Sequence, residues 1–419
     1  MIARLQVAAT LLVLTCACGG APERVLTISG SAVGREADLL RDQLDRYRRL
    51  KPSLRIELRS TPDAADQRHQ LYVQWLNARA NDPDVLQLDV IWTAEFAAAG
   101  WIAPLDPFAP DAGAFFPAAV DAQRWQGRLF ALPWFIDAGM LYWRSDLMPR
   151  APATLAELVD SATRARAEGA VPFGFVWQGA RYEGLVTVFL EHLGAFGGRI
   201  LDDDSRVVVD SDAAIAALAF MRDTIRRSGI VPEAVLGWQE EQTRFAFQNG
   251  QAAFMRNWPY ARPLLDDRSS SVVAGRFGVA AMPSGPNGTA TAALGGSALA
   301  VNAFSEQPGE AWDLVQFLVA PAQMMERARV TGQFPPRPSL YDDPALADAL
   351  GTDPAAVRAI LDRAVARPAT PVYSELSEIL QVSLHRALSG QQEPEAALRD
   401  AAHAMRALLA RVKLSRAEP

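Results

Sequence analysis

The sequence predicts an α/β protein with two domains and parallel-rich sheets. Short apolar runs alternate with longer segments of helical periodicity, which is the pattern of strand–helix units. The 419 residues exceed the roughly 250 to 300 at which a single core stops growing. Apolar residues make up 50% of the chain and aromatic residues 8%, which is typical of a packed globular protein.

The alternation is clearest in the first ninety residues. Residues 25–28 are predicted to form a first strand, and apolar side chains at helical spacing over 40–50 predict a helix. Residues 54–58 alternate as a second strand. A helix around 67–80 then leads to an apolar segment at 85–92.

Later elements are mainly helical in pattern. Thr154 and Glu157 stand three residues apart, which is the spacing of a capping box at a helix start. Helical periodicity recurs at 213–227 and 310–319. From Pro354 onward almost the whole chain is predicted to be helical.

The N-terminus has the pattern of an export signal. Arg4 supplies a positive charge, and residues 7–14 form an apolar core shorter than the roughly 20 residues that span a bilayer. The segment 14–18 resembles a bacterial lipobox, with Ala17 directly before Cys18. We therefore predict a lipoprotein signal peptide at 1–17, a lipidated Cys18 and a tether at 18–23. An ordinary cleaved signal with no role for the cysteines is the alternative.

Composition excludes several classes of partner and stabilising bond. No cysteine follows Cys18, so the mature chain can form no internal disulfide. The net charge of −7, without a block of basic residues, argues against nucleic acid as a partner. No later apolar run approaches 18 residues, so we expect membrane contact only through the lipid, with the protein in the periplasm or at the cell surface.

Several segments match one protein family in their order and spacing along the chain. They include LPWFIDAGMLYWR at 132–144 and FQNGQAAFMRNWPY at 247–260, and the others are 88–101, 177–185, 294–296, 334–341 and 367–373. Through them the chain resembles extracellular solute-binding proteins, the lipoprotein receptors of ABC carbohydrate importers, and within these the trehalose/maltose-binding branch.

The resemblance implies a type II periplasmic-binding-protein fold. In this fold two lobes of central β-sheets flanked by helices are joined by crossing strands, and ligand binding in the cleft is coupled to hinge closure. The crossings are expected near 133–137, 282–286 and 332–338. The corresponding assignment is 24–133 with 285–333 for lobe one, and 134–284 with 334–419 for lobe two.

A neutral sugar presents hydroxyl groups and weakly apolar faces, so its site needs carboxylates, amides or arginine together with flat aromatic rings. At positions matching the family, the resemblance implies ligand contacts by Asp89, Asp137, Trp258, Tyr260, Gly296, Arg337, Glu36 and Arg68. Ser297 stands where related proteins often place tryptophan.

Each of these residues also has a purely structural explanation. Asp89 interrupts an apolar run, so it should end a strand and accept hydrogen bonds, or else cap the next helix near Thr93. Asp137 could belong to a local turn, and Trp258 and Tyr260 to the core. Arg337 could form a surface salt bridge, and Glu36 a helix-dipole contact. Gly296, beside Gly295, allows close backbone approach, and the match at Arg68 is loose.

The 177–185 segment also matches the family, but we do not expect its residues to contact the ligand. Trp177 matches a recurrent family segment, and Tyr182 and Glu183 are interpreted as structural rather than ligand-binding.

Other functions fit the sequence less well than a sugar receptor. Asp89 with Asp137 or Glu183 could serve a glycoside hydrolase, but no hydrolase segment surrounds them. The four histidines show no metal-ligand spacing, Ser297 lies in no nucleophile elbow, and no Walker A motif is present. A receptor for a polyamine, phosphate or metal chelate stays an alternative. The prediction is a monomeric, non-enzymatic receptor without cofactor or metal, delivering a disaccharide to ABC permease subunits.

Overall fold

The computed structural model describes residues 25–31, 33–351 and 353–417. The predicted signal peptide, Cys18 and the tether lie outside these residues. The strands are β1 (Val25–Gly30), β2 (Arg55–Ser60), β3 (Val85–Asp89), β4 (Arg124–Trp125), β5 (Arg128–Leu129), β6 (Ala131–Ala138), β7 (Met140–Arg144), β8 (Phe173–Val176), β9 (Ala252–Asn257), β10 (Phe277–Ala281), β11 (Ala292–Val301) and β12 (Ala364–Val365).

Helices flank these strands along the chain. They are α1 (Glu36–Leu50), α2 (Ala65–Asn77), α3 (Thr93–Ala98), α4 (Pro117–Asp121), α5 (Leu155–Ala167), α6 (Glu183–Ala195), α7 (Asp212–Arg226), α8 (Glu240–Gln248), α9 (Ala261–Leu265), α10 (Pro308–Leu318), α11 (Pro321–Thr331), α12 (Pro344–Leu350), α13 (Pro354–Leu361), α14 (Tyr373–Leu388) and α15 (Pro394–Ala417). Within the described ranges, no helix is both long and apolar enough to cross a bilayer.

The strands form two main sheets, each covered by helices. The first has the order β12-β11-β3-β1-β2, with β6 paired to β11, and the second has the order β10-β7-β9-β8. The α/β prediction is confirmed, but the sheets are mixed rather than parallel-rich. β6 and β11 run antiparallel to each other, and β7 runs antiparallel to both β9 and β10. A βαβ crossover would place its two strands parallel to each other. The strands paired here are not joined by such a unit, so they can run antiparallel.

Three chain segments connect the two sheets. β6 belongs to the first sheet and continues through Gly139 into β7 of the second. The segment between β10 and β11 passes back, and Phe334, which follows α11, exchanges backbone hydrogen bonds with Ile136. These passages include the expected crossing regions, whereas the exact lobe boundaries stay predictions.

Each sheet has its own core. Leu26, Val85 and Leu299 belong to a buried cluster on the first sheet, and Phe175 and Phe254 to one on the second. The C-terminal helices α14 and α15 pack on each other and on α7, and α14 also packs on α6. Each domain therefore buries a core of its own, as the chain length predicted.

The capping pattern in the sequence predicted the start of a helix correctly, whereas the expectation of almost continuous helix in the C-terminal third was less accurate. The Thr154 hydroxyl accepts the Glu157 N–H at 3.1 Å, which confirms the N-cap of α5, while the Glu157 carboxylate accepts from Ala153 N. The prediction of helix throughout from Pro354 is wrong in part, because β12 and the stretch at 366–372 interrupt it. Pro368 and Pro371 lie in that stretch, and proline removes the backbone donor that a helix needs.

Candidate ligand-binding site

A pocket of about 110 Å³ lies between the two sheets, with walls from both. Seven of the eight sequence-predicted residues line it, namely Glu36, Arg68, Asp89, Asp137, Trp258, Tyr260 and Gly296. A larger cavity of about 880 Å³ lies beside the α6–α7 connection. The charged side chains there, such as Arg199 and Asp203, are exposed and paired with each other, so the smaller pocket is the better candidate.

Arg337 is the predicted residue that the structure does not bring to this pocket. Its guanidinium lies over Phe115 with 4.3 Å between Cζ and the ring centroid, and its Nε donates to Val319 O at 3.1 Å. These contacts hold the side chain against the core of the first sheet. Neither the expected ligand contact nor the alternative surface salt bridge describes this arrangement.

Asp89 ends β3, as its position in an apolar run predicted. Its Oδ1 accepts a hydrogen bond from Arg367 Nη2 at 2.9 Å and one from Ile91 N at 3.3 Å. The alternative of a cap on the following helix is not observed, since Trp92 is the N-cap residue of α3. Asp89 therefore presents a paired carboxylate at the pocket edge.

Arg367 connects the two walls of the pocket. Besides Asp89, it donates from Nη1 to Glu183 Oε1 at 2.9 Å, and Glu183 also accepts from Tyr373 Oη at 2.8 Å and from Ser377. Burial raises the pKa of Glu183, and the Arg367 charge opposes that rise. Burial disfavours the charged form of Arg367 too, but the two carboxylates raise its pKa above the ordinary value.

Sequence reasoning did not single out Arg367 as a site residue. Its available signal was its position at the start of the 367–373 segment that carries the family resemblance. The contact with Asp89 joins residues 278 positions apart, which a single sequence cannot reveal. The structural interpretation of Glu183 fits its three donors, although both it and Tyr182 line the pocket.

Two further carboxylates lie buried in the pocket. Glu36, in the first turn of α1, accepts from Gln333 Nε2 at 2.8 Å through Oε1, and Asp137 belongs to β6. Burial raises the pKa of Glu36. Burial, together with the nearby charge of Glu36, raises the pKa of Asp137 well above its ordinary value.

Unpartnered buried polar atoms cluster around this pocket. Glu36 Oε2, Asp137 Oδ1, Arg68 Nε and Arg367 Nε have no hydrogen-bond partner among the residues that the structure describes. Buried polar groups in folded proteins are nearly always hydrogen-bonded. Acceptors and donors gathered in this way suit a ligand with many hydroxyl groups, because a hydroxyl both donates and accepts.

Trp258 and Tyr260 follow β9 and form the aromatic part of the pocket. The partly exposed Trp258 ring has the Arg256 guanidinium 3.9 Å from its centroid. A Cβ at Gly295 would lie 3.1 Å from Trp258 Cζ3, so the glycine leaves room beside the ring. Tyr260 is buried and donates its hydroxyl to Glu241 Oε1 at 2.8 Å.

Gly296 has a structural reason for lacking a side chain. Its φ is 124°, and a Cβ would lie 2.3 Å from Phe135 O on the paired strand β6. The close approach that the sequence suggested is therefore one between strands. The neighbouring Ser297 hydroxyl accepts from Gln87 Nε2 at 3.1 Å, so a small polar pair occupies the place where relatives often have tryptophan.

We expect the stability supplied by Asp137 to fall as the pH rises. Because its pKa is higher in the folded chain, the folded state binds more protons between the unfolded and folded pKa values, and stability decreases there with pH. Compared with Asp137→Asn, the wild type should lose about 1.4 kcal/mol of unfolding free energy per pH unit of that interval. Urea unfolding of both proteins from acid to alkaline pH measures the difference. A wild type that gains stability on the variant with rising pH would contradict it.

No group of three or more histidine, cysteine, aspartate or glutamate residues in the described ranges is arranged to hold a metal ion. His69 Nε2 lies 2.9 Å from Glu95 Oε2 and 3.2 Å from Ser374 Oγ. Both contacts use the same nitrogen, so they do not form a nucleophile–base–orienting relay. Asp66 makes a similar polar contact to Gln381, at 3.0 Å, and these side chains join α2 and α3 to α14.

Comparison with known proteins gives consistent matches. The profile of the family described as bacterial extracellular solute-binding protein matches residues 60–325. A probable ABC transporter-binding protein of Deinococcus radiodurans is 35% identical over 405 residues, covering 93% of each chain.

Solved structures extend the match to the whole fold. The maltose-bound structure of T. maritima MalE3 has a TM-score of 0.88 and 41% identity, covering 92% of this chain and 99% of that one. The GacH receptor of Streptomyces glaucescens, solved unliganded and with acarbose, has a TM-score of 0.83 and 25% identity over 92% and 98%. The observed architecture is thus that of type II periplasmic binding proteins.

Proposed function

The chain belongs to the bacterial extracellular solute-binding protein family, and we propose that it captures a trehalose- or maltose-like disaccharide for an ABC sugar importer. Members of this family are binding proteins, so the chain is a receptor and not an enzyme. The sugar assignment is supported by MalE3, which is similar along almost its whole length and binds maltose.

One observation carries the proposal, namely that buried polar atoms of Glu36, Asp137, Arg68 and Arg367 have no partner among the described residues and lie around an aromatic-lined pocket. Glu36 Oε2 and Asp137 Oδ1 offer acceptors, and Arg68 and Arg367 offer donors. Trp258 offers a flat face for the C–H side of a sugar ring. Burial raises the pKa of both carboxyl groups, which favours their neutral form and so suits a neutral ligand.

Ligand capture requires no chemical step in this account. Open and closed arrangements exchange by hinge motion, and a sugar that contacts both walls stabilises the closed one. On one wall, Glu36 of α1, Arg68 of α2 and Asp89 of β3 contact the ligand. On the other, the contacts come from Asp137 of β6 and from Trp258 and Tyr260, which follow β9. A micromolar receptor needs only about 8 kcal/mol, which several hydrogen bonds and one stacked ring supply after ordering costs.

The proposal also covers the location, membrane anchoring and partners of the protein. The chain is exported, lipidated at Cys18 and held as a monomer in the periplasm or at the cell surface. ABC permease subunits recognise the closed form and receive the sugar. The lipobox-like segment at 14–18 supports this anchoring.

The direct test is a thermal-shift screen of the chain expressed from Gly19. We expect trehalose or maltose to raise the unfolding midpoint by several degrees, because a ligand that binds only the folded state stabilises it by mass action. Putrescine, inorganic phosphate and a metal chelate complete the panel. A shift with one of these and none with any sugar would favour the non-sugar receptor instead.

A further inference from the structure

A buried ion pair supports the Trp258 ring from behind. Arg256 lies in β9, two residues before Trp258, and its guanidinium is 3.9 Å from the centre of the indole. Arg256 Nε donates to Glu191 of α6 at 2.9 Å, and Nη1 donates to Gln178 Oε1 at 3.1 Å. The side chains of Arg256 and Glu191 are 0% and 1% exposed, so the pair lies entirely within the protein.

The same pair is fixed to the strands that connect the sheets. Ala293 N, in β11, donates to Glu191 Oε1 at 3.2 Å. A Cβ at Gly139, the residue between β6 and β7, would lie 1.7 Å from Glu191 Oε1 and 2.5 Å from Arg256 Nη2. Glycine at this junction therefore makes room for the pair. Arg256 is held on one side by the connecting strands and faces Trp258 on the other.

Stability alone does not explain such an arrangement. Removing two charges from water costs much of what their attraction returns, and apolar side chains of the same volume often serve a core as well or better. A guanidinium held in place by carboxylate and amide partners has a fixed plane, and it therefore orients an aromatic ring that packs on it. The positive charge of the guanidinium also attracts the electron-rich face of an indole, and this cation–π attraction is stronger where water is excluded.

We propose that Arg256, held by Glu191 and Gln178, is a positioning residue that fixes the orientation of the Trp258 ring for stacking on the sugar. The inference rests on the proposed function in so far as Trp258 stacks on a sugar. The ring has one further polar contact, because the Glu240 carboxylate accepts a hydrogen bond from the Trp258 side chain. Trp258 N donates to Asn257 Oδ1 at 2.8 Å and Trp258 O accepts from Tyr142 Oη at 2.7 Å, while Gly295 contributes no side chain beside the ring.

The test removes both charges together. Glu191→Gln with Arg256→Met keeps the volume of each side chain and leaves no buried charge unpaired. The matched control is Arg144→Met with Asp146→Asn, an ion pair with a 2.6 Å contact at the end of β7, away from the pocket. Fluorine NMR of protein labelled with 5-fluorotryptophan reports each of the ten tryptophans, and Trp258→Phe identifies the Trp258 signal.

In the ligand-free wild type and in the control, we expect one narrow Trp258 signal at the same shift. In the Glu191→Gln/Arg256→Met protein this signal should broaden or split, and maltose affinity measured by calorimetry should fall about tenfold, the scale of a desolvated cation–π contact. An unchanged Trp258 signal would overturn the proposal whether or not affinity fell. A wild type that binds no sugar would overturn the proposed function, whereas the ligand-free spectra would still decide the role of Arg256.

Discussion

Replacement of Trp258 by alanine is expected to abolish measurable sugar binding while changing the thermal midpoint of the ligand-free protein by only a few degrees. Tryptophan side chains at the centre of a binding site commonly contribute 2 kcal/mol or more, and a loss of about 3 kcal/mol weakens affinity more than 100-fold. The ring is partly exposed in the pocket wall, so its removal opens no sealed cavity in the core. Calorimetric titration with maltose and differential scanning calorimetry measure the two quantities.

Trp238→Ala is the matched control for this prediction. Trp238 is also a partly buried tryptophan packed against the core of the second sheet, but it lies over Phe173 and does not line the pocket. It should retain sugar affinity. Sugar binding that survives Trp258→Ala, together with a large drop in its midpoint, would show that Trp258 is a core residue instead.

Arg367→Met is expected to destabilise the fold by about 3 to 5 kcal/mol, the usual cost of removing one partner from a buried ion pair. The change leaves Asp89 and Glu183 without their shared cation, and the Arg367 side chain is only 2% exposed. Arg367→Lys should rescue little, because one ammonium cannot reproduce the planar fork that reaches both carboxylates. The urea midpoint at constant m-value reports the loss.

The cost of Arg367→Met should shrink at acid pH. Burial already raises the pKa of Glu183 in the folded wild type, and losing the arginine would raise it further. Once the pH falls below that pKa, the protonated carboxyl no longer needs a buried cation, so the variant approaches the wild type. Arg406→Met, which removes an exposed partner of Asp210, is the control and should cost less than about 1 kcal/mol at any pH. A pH-independent cost for Arg367→Met would contradict the electrostatic explanation.

Local patterns in the sequence predicted the helices well but not the pairing of strands. The helical spacing of Leu40, Leu44 and Tyr47 corresponds to buried positions of α1, and the cap at Thr154 starts α5. The mixed character of the sheets comes from β6 and β11, whose pairing joins positions far apart in the chain. No local periodicity encodes the direction of such a pair.

The residues of the candidate site also fall into two groups, those that the sequence predicted and those that it missed. Five pocket residues could be predicted because they lie in segments that resemble a family, namely Asp89, Asp137, Trp258, Tyr260 and Gly296, whereas Glu36 and Arg68 were predicted from looser matches. Arg337 also lies in a matching segment, 334–341, but the structure does not bring it to the pocket. Gln87, Gln333 and Arg256 were missed because their roles are contacts with residues distant in sequence. Arg256 did leave a signal, since an arginine in the apolar strand AAFMRN needs a buried partner.

The central claim is that this pocket binds a neutral disaccharide and leaves it unchanged. Calorimetric titration of the chain expressed from Gly19 with trehalose and maltose, followed by chromatography of the recovered sugar, tests it most directly. We predict one-to-one binding near micromolar affinity for at least one of the two, with intact disaccharide recovered after prolonged incubation. No heat of binding with either sugar, or release of glucose, would contradict the claim.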